Sequence, residues 1–234
     1  PLWKERTSLL LSGRTTYSDW IMGMLPEKSG YKDGKAGFYD IGATFSHTFN
    51  NKHKLNLYGY YSRDRFAFND NEKYGYGNMN LSAHWRAILS DQLIANFSAG
   101  YDHYDYKNDE TVDSVQAARL SFSIDQYFAK ANFNWELEKH KLNFGASTLL
   151  YNIGAGTYEP LGNLSMVAYD KLQKDKALES AVYVGEEWEV TPKLSFNAGI
   201  RYSMFNALGP RDYYTYQPGT LPSESTIADT VRVT

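Results

Sequence analysis

The stretch Glu186–Tyr202, EEWEVTPKLSFNAGIRY, alternates apolar and polar side chains on both sides of a single turn. Trp188 and Val190 lead into Thr191-Pro192-Lys193, and Leu194, Phe196, Ala198, Ile200 and Tyr202 lead out. Glu187, Glu189, Ser195, Asn197, Gly199 and Arg201 fill the positions between. Successive side chains of a β-strand point to opposite faces, so the segment is a hairpin with one apolar and one polar face. Pro192 has no N–H to give to a ladder and belongs in the turn.

The figure occurs three times earlier. Trp85, Ala87 and Leu89 are followed by Leu93, Ala95 and Phe97; Phe133, Trp135 and Leu137 by Leu142, Phe144 and Ala146; Ala43, Phe45 and Phe49 by Leu55 and Leu57. The first apolar residues after the four turns, Leu55, Leu93, Leu142 and Leu194, are separated by unequal intervals. A solenoid keeps a fixed period, so the hairpin is constant while the connections at its other end vary.

Nine strands are predicted along the chain: about Thr7–Tyr17, Ala36–Phe49, Lys54–Phe68, Gly75–Leu89, Gln92–Tyr106, Ala118–Leu137, Lys141–Tyr151, Lys176–Val190 and Lys193–Phe205. Loops are expected at Trp20–Lys35, with Pro26, Gly30 and Gly34, at the tip Asn69–Lys73, at Lys107–Val115 and at Asn152–Asp175. Asn206–Thr234 is expected to be irregular, with Thr226–Thr234 the one place for a further strand. No stretch keeps a 3.6-residue apolar period over three turns, so no helix is expected. No linker interrupts residues 1–234, which read as one domain.

Composition narrows the class. The 234 residues carry a net charge of −3 and no basic cluster, which argues against nucleic acid. There is no cysteine, hence neither a disulfide framework nor a thiolate metal site. Aromatic residues make up 16%, including 20 Tyr. No run approaches the roughly 18 apolar residues of a membrane-spanning helix, and a mean hydropathy of −0.54 is compatible with a transmembrane barrel, whose strands are only half apolar.

Alternation alone does not say which face points out. The strands are two to three times the usual length, whereas a membrane strand needs roughly 9–11 residues. Turns of two to four residues alternate with loops of up to about 24, the asymmetry of outer-membrane barrels. Trp85, Trp135 and Trp188 each stand about four residues before a short turn, at one height, as in an aromatic girdle at the lipid–water boundary. The fold expected is all-β, an antiparallel up-and-down transmembrane β-barrel segment with its apolar face on lipid.

PLWKERTSLLLSGRTTYSD at the start resembles the segment that enters the barrel after the plug in TonB-dependent outer-membrane receptors. The type with a carboxypeptidase-regulatory-like N-terminal domain, common in Bacteroidetes, is the one it most resembles. ESAVYVGEEWEVTPKLSFNAGIRYS resembles that family's barrel hairpin, in which an acidic-Trp pair precedes the turn and Gly-x-Arg-Tyr follows it. The resemblance covers essentially the whole chain. It implies about 9 strands of a barrel of about 22, a bacterial outer-membrane location, energy-coupled nutrient uptake, a plug, a TonB complex and, in some members, a surface lipoprotein. The plug, the TonB-contacting segment and a C-terminal strand ending in an aromatic residue have no counterpart here. The chain, which opens at Pro1 without an initiator Met, is therefore expected to be a fragment of the barrel, its first and ninth strands not hydrogen-bonded to each other. The alternatives are a passive porin or structural barrel and an outer-membrane enzyme.

Little chemistry of other kinds is legible. The five histidines have no metal-ligand spacing, and no cofactor or nucleophile motif is present. In Asp102-His103-Tyr104-Asp105, His103 and Asp105 share a face and need an outside partner for any acid–base role. Asn69-Asp70-Asn71-Glu72 lacks the frame of a calcium loop. Gly154-Ala-Gly156 opens no helix and cradles no phosphate. Tyrosine is the informative excess: Tyr104, Tyr106, Tyr151, Tyr158, Tyr213, Tyr214 and Tyr216 are expected in or beside external loops, where a flat ring with a polar tip suits contact with a nutrient.

Overall fold

A computed structural model describes residues 5–16, 18–26, 28, 34–69 and 71–233. The expectations placed on Pro1–Lys4, Tyr17, Gly30, Asp70 and Thr234 lie outside the described residues. Ten strands form one antiparallel sheet: β1 (Thr7–Thr15), β2 (Lys35–Asn50), β3 (His53–Asn69), β4 (Glu72–Ile88), β5 (Leu93–Glu110), β6 (Ala118–Glu136), β7 (His140–Pro160), β8 (Asp170–Lys171), β9 (Lys174–Thr191) and β10 (Leu194–Leu208). Nine of them follow one another in chain order from β1 to β10, while the two-residue β8 pairs only with the far end of β7. Among the described residues β1 and β10 do not pair; they are the two edges of an incompletely wound sheet.

The strands outrun the expected bounds chiefly at the loop end, and by no more than a residue at the short turns. β7 has 21 residues, roughly 70 Å of chain at about 3.4 Å per residue, far more than a hydrocarbon core about 30 Å thick requires. Asn152–Pro160, expected as a loop, is the continuation of β7 and contains Gly154 and Gly156. β5 runs to Glu110. The strict alternation of short and long connections fails between β3 and β4, where Asn69 and Glu72 are the last and first strand residues. Asn69 closes that turn itself: its Oδ1 accepts from the N–H of Asn71 (2.8 Å) and Glu72 (3.0 Å). Asn50 does the same between β2 and β3, toward Lys52 (2.8 Å) and His53 (2.9 Å). Asn50→Ala is expected to cost about 1 kcal/mol in a urea titration of the full-length receptor in liposomes, while Asn51→Ala changes little.

Two other expectations are corrected. A short helix, α1 (Asp19–Gly23), lies in the connection after β1, and a 3₁₀ turn spans Glu224–Thr226. Both are too short to show a three-turn periodicity. The C-terminal segment is not irregular: β11 (Arg211–Tyr216) pairs antiparallel with β12 (Ile227–Val233) in a separate ribbon, so the strand foreseen near Thr226–Thr234 does not extend the main sheet.

Register fixes which residues share a face, because directly opposed antiparallel residues point the same way. One face runs through Leu57, Ala83, Ala99, Ala129, Thr148, Ser180 and Met204 across seven strands. Near the short turns it is apolar: His53, Trp85, Phe97, Phe133 and Phe144 form a chain of rings with centroids 5.1–5.9 Å apart. Trp85, Trp135 and Trp188 all belong to it and stay exposed (43%, 40% and 42%). The opposite face at that level carries Asn56, His84, Ser98, Lys130, Ser147 and Arg201. In mid-strand Ala99, Ala129, Ala146 and Leu150 of the apolar face are exposed, while Gly100, Phe128, Ser147 and Leu149 of the polar face are half-buried.

Candidate functional site: an aromatic wall at the loop end

Toward the loop end the two faces exchange character. On β4 the apolar residues Met79, Leu81, Ala83 and Trp85 are odd-numbered, and Tyr74 and Tyr76 beyond them are even-numbered. On β5 the odd series Leu93, Ala95, Phe97, Ala99 and Tyr101 gives way to the even pair Tyr104 and Tyr106. On β6 the odd series ends at Tyr127, and Ile124, Phe122 and Leu120 take over. Strand geometry allows no other outcome than a transfer of the apolar side chains from one face to the other.

The transferred residues meet. The rings of Tyr76 and Tyr106 lie 5.3 Å apart, Tyr106 and Phe122 4.7 Å, Tyr104 and Phe122 6.0 Å, and Phe66 and Tyr74 6.3 Å. Tyr158 stands opposite Leu120 on the same face. Its place depends on a bulge: β6 advances from Ser123 to Ser121 while β7 advances from Gly154 to Thr157, so one extra residue enters β7 and its parity reverses. Without it Tyr151 and Tyr158, seven positions apart, would face opposite ways. Tyr151 lies lower on the same face, its hydroxyl 3.5 Å from Glu179 Oε2.

Behind this wall, on the opposite face, the side chains are charged and paired. Arg63 reaches from β3 across β4 to both oxygens of Asp105 on β5 (2.6 and 2.7 Å). Gly77 makes the crossing possible, since a Cβ there would lie 2.1 Å from Asp105 Oδ2. Arg119 donates to both oxygens of Asp109 (2.6 and 2.7 Å), and Asp125 accepts from Tyr101 (2.6 Å) and contacts His103 Nδ1 (2.7 Å). The outside partner that His103 lacked in the sequence is thus Asp125. These pairs tie β3 to β5 across β4, and β5 to β6, and hold the wall from behind.

All seven tyrosines expected in or beside external loops lie on strands, Tyr104, Tyr106 and Tyr151 as expected and Tyr158, Tyr213, Tyr214 and Tyr216 where no strand was foreseen. Tyr104, Tyr106, Tyr151 and Tyr158 share one face of the sheet; Tyr213, Tyr214 and Tyr216 belong to β11, where Tyr213 stacks under Arg211 at 5.2 Å. The ribbon is tethered to the sheet by Arg211 on Asp175 (2.9 Å) and by Gln173, which donates to the Asp212 carbonyl (2.9 Å) and accepts from its N–H (3.1 Å). Tyr74, Tyr76, Phe66 and Phe122 were not anticipated; the parity switch in their strands is the signal that marks them.

Comparison with known proteins identifies the architecture. No curated protein matches by sequence. The ferric-catecholate import receptor Fiu from E. coli K12 superposes over 100% of this chain and 46% of its own, with a TM-score of 0.67 at 10% identity. The copper transporter OprC matches with a TM-score of 0.64 at 10% identity over 85% of this chain and 33% of its own. A variant of the ferric enterobactin receptor PfeA from Pseudomonas aeruginosa matches with 0.62 at 14% identity, over 88% and 35%. The chain thus spans between a third and a half of the length of these structures. The sequence model described as "TonB dependent receptor-like, beta-barrel" covers residues 9–230. The chain therefore belongs to the TonB-dependent receptor β-barrel family, a family of outer-membrane receptors and not of enzymes.

Proposed function

We propose that these residues form a continuous part of the wall of an energy-coupled nutrient importer, with the apolar face on lipid and the polar face on the lumen. The observation that carries this reading is the exchange of faces. An apolar belt beside the short turns needs hydrocarbon around it, and the charged pairs above it need water. From Leu93 to Tyr101 on β5 the belt spans about 27 Å along the strand, or roughly 20 Å of depth at a tilt near 45°, close to the ~25 Å band of outer-membrane barrels. The short turns then lie in the periplasm and the aromatic wall lines the external mouth, where Tyr104, Tyr106 and Tyr158 meet the nutrient together with Tyr76 and Phe122. Tyr151 sits deeper in the pore, and Tyr213, Tyr214 and Tyr216 extend the contact surface on the ribbon. Trp85, Trp135 and Trp188 form the periplasmic girdle. A plug, the TonB complex and a surface lipoprotein are the partners this reading assigns to the whole protein.

Two experiments test it. In intact cells, Asp113→Cys and Asn163→Cys in the full-length receptor should react with an impermeant maleimide and Asp91→Cys should not; labelling at Asp91 alone would invert the topology. In cells whose growth depends on the receptor, deletion of the energy-coupling complex should abolish uptake, and Tyr76→Ala with Tyr106→Ala should impair it at unchanged receptor levels. Uptake that survives loss of the complex would make the protein a passive pore.

A further inference from the structure

We propose that the outward face holds the phosphate of an outer-leaflet lipid at its loop-end corner, on β2–β4. The register sets Lys35 opposite Ala67 and Ala67 opposite Lys73, and it sets Arg65 between Gly37 and Gly75. Lys35, Arg63, Arg65 and Lys73 line one depression of about 410 Å³, with Tyr39, Gly37 and Ala67 among its other walls. The small residues matter: the strand positions between the cations have no side chain, or only a methyl, to fill the space.

The electrostatics favour a bound anion. Among the described residues, no carboxylate belongs to this lining. Among the described residues, two acids farther along the same face are already engaged, Asp105 by Arg63 and Asp109 by Arg119. Arg65 and Lys73 are exposed and, among the described residues, form no ion pair. A guanidinium fork beside an ammonium is a fitting set of donors for a phosphate, whose oxygens accept several charge-assisted hydrogen bonds.

Position selects a lipid over a free ion. Below the cations the same face continues into Tyr61 and Ile41, the upper margin of the apolar belt. Arg65 is four residues above Tyr61, roughly 13 Å along the strand and about 9 Å in depth after tilt. The headgroup layer on each side of a hydrocarbon core is about 5–8 Å thick. An amphiphile with acyl chains on the belt therefore presents its phosphate at the mouth of this depression, and the depression supplies the cations. Inorganic phosphate would gain nothing from the belt. The proposal rests on the apolar-outward reading above.

The test uses the full-length receptor extracted in mild detergent and incubated with diphosphorylated lipid A, with its dephosphorylated form, or with inorganic phosphate. Native mass spectrometry should find a retained lipid A. Arg65→Gln with Lys73→Gln should weaken retention on the order of tenfold, as expected for loss of two membrane-surface cations. Lys174→Gln with Lys176→Gln, also exposed and on the same face but outside the depression, should leave it unchanged. The charge-keeping Arg65→Lys with Lys73→Arg should retain the lipid and guards against a folding defect. Equal retention of the dephosphorylated lipid, or no loss in the Gln variant, overturns the proposal. Displacement by millimolar inorganic phosphate would make it a free-anion site and overturns the lipid assignment. A spin label at Ala83→Cys, on the apolar face away from the depression, reports the underlying reading separately. Oxygen-accessible but nickel-chelate-protected spectra keep the face outward even if lipid A fails to bind; the reverse removes the reading itself.

Discussion

Phe133→Arg is expected to destabilise the full-length receptor by about 3 kcal/mol in a liposome folding titration. The neighbouring Asn132→Arg should cost about 1 kcal/mol. Phe133 lies on the apolar face of β6, whose belt there runs Trp135, Phe133, Ala131, Ala129, Tyr127 before Asp125 begins the charged zone. Ala131 is thus the centre of the belt, and Phe133 is one outward position from it. An arginine near the lipid midplane of a barrel costs about 2–4 kcal/mol and less toward the interface. Phe133 adds the loss of its rings' contacts with Phe97 (5.9 Å) and Phe144 (5.1 Å), each worth about 0.5–1.5 kcal/mol. Asn132 faces the polar side and gives up chiefly the hydrogen bond it accepts from Tyr183, about 1 kcal/mol. Ala131→Arg separates depth from packing, since it breaks no ring contact and should still cost about 2–4 kcal/mol. Equal costs for Phe133→Arg and Asn132→Arg would mean that the faces have been assigned wrongly.

The sheet was legible because its determinants are local in sequence. Where one face is apolar, a period of two fixes strand, face and pairing at once, as in Leu93–Tyr101 or Leu194–Tyr202. The hairpin turns at Asn50 and Pro192 announce themselves by side-chain chemistry. The reading failed where that contrast fades. Beyond Tyr151 both faces of β7 are mixed, and Gly154 and Gly156 look like loop residues although they are held in a long ladder. Between β3 and β4 the turn is made by one asparagine side chain, which composition reads as a polar loop tip. The β11–β12 ribbon joins two short segments across an intervening stretch with no alternation of its own.

The candidate site was half legible for the same reason. Tyrosine excess drew attention to these residues, and Tyr104, Tyr106 and Tyr158 share one face at the loop end. Tyr104 and Tyr106 close a strand as expected, whereas Tyr158, expected in a loop, lies on β7, because external strand ends look like loops when judged by hydropathy. The wall also depends on parity across several strands. Tyr76 and Phe122 complete it only after the register brings three strands side by side. Tyr158 joins it only through the bulge in β7, which no residue between Gly154 and Thr157 identifies in advance. The ion pairs behind the wall are long-range throughout: Arg63 and Asp105 are 42 positions apart.

Gly145→Val is expected to be the most damaging single change in the middle of the sheet, at about 3 kcal/mol or more. Gly145 lies on the polar face of β7, opposite Asn132 of β6 and Tyr183 of β9. A Cβ there would stand 2.3 Å from the backbone oxygen of Ala131 and 2.7 Å from the Tyr183 hydroxyl. The Ala131 oxygen belongs to the β6 backbone and cannot swing away as a side-chain tip could. Relief therefore requires the strands to part, and overpacking of this kind costs about 1–3 kcal/mol, occasionally more. The Tyr183 ring now crosses the bare glycine so that its hydroxyl donates to Asn132 Oδ1 at 2.6 Å. Displacing the ring removes that bond, about 1 kcal/mol more, and lifts the ring from beneath the Arg201 guanidinium, 5.6 Å away. Gly185→Val, in the next strand on the same face, is the internal control. A Cβ at Gly185 meets nothing nearer than 3.7 Å, so that variant should fold within about 1 kcal/mol of the parent. Equal folding free energies for the two valine variants would show that neither the contact with Ala131 nor the Tyr183–Asn132 crossing constrains the sheet.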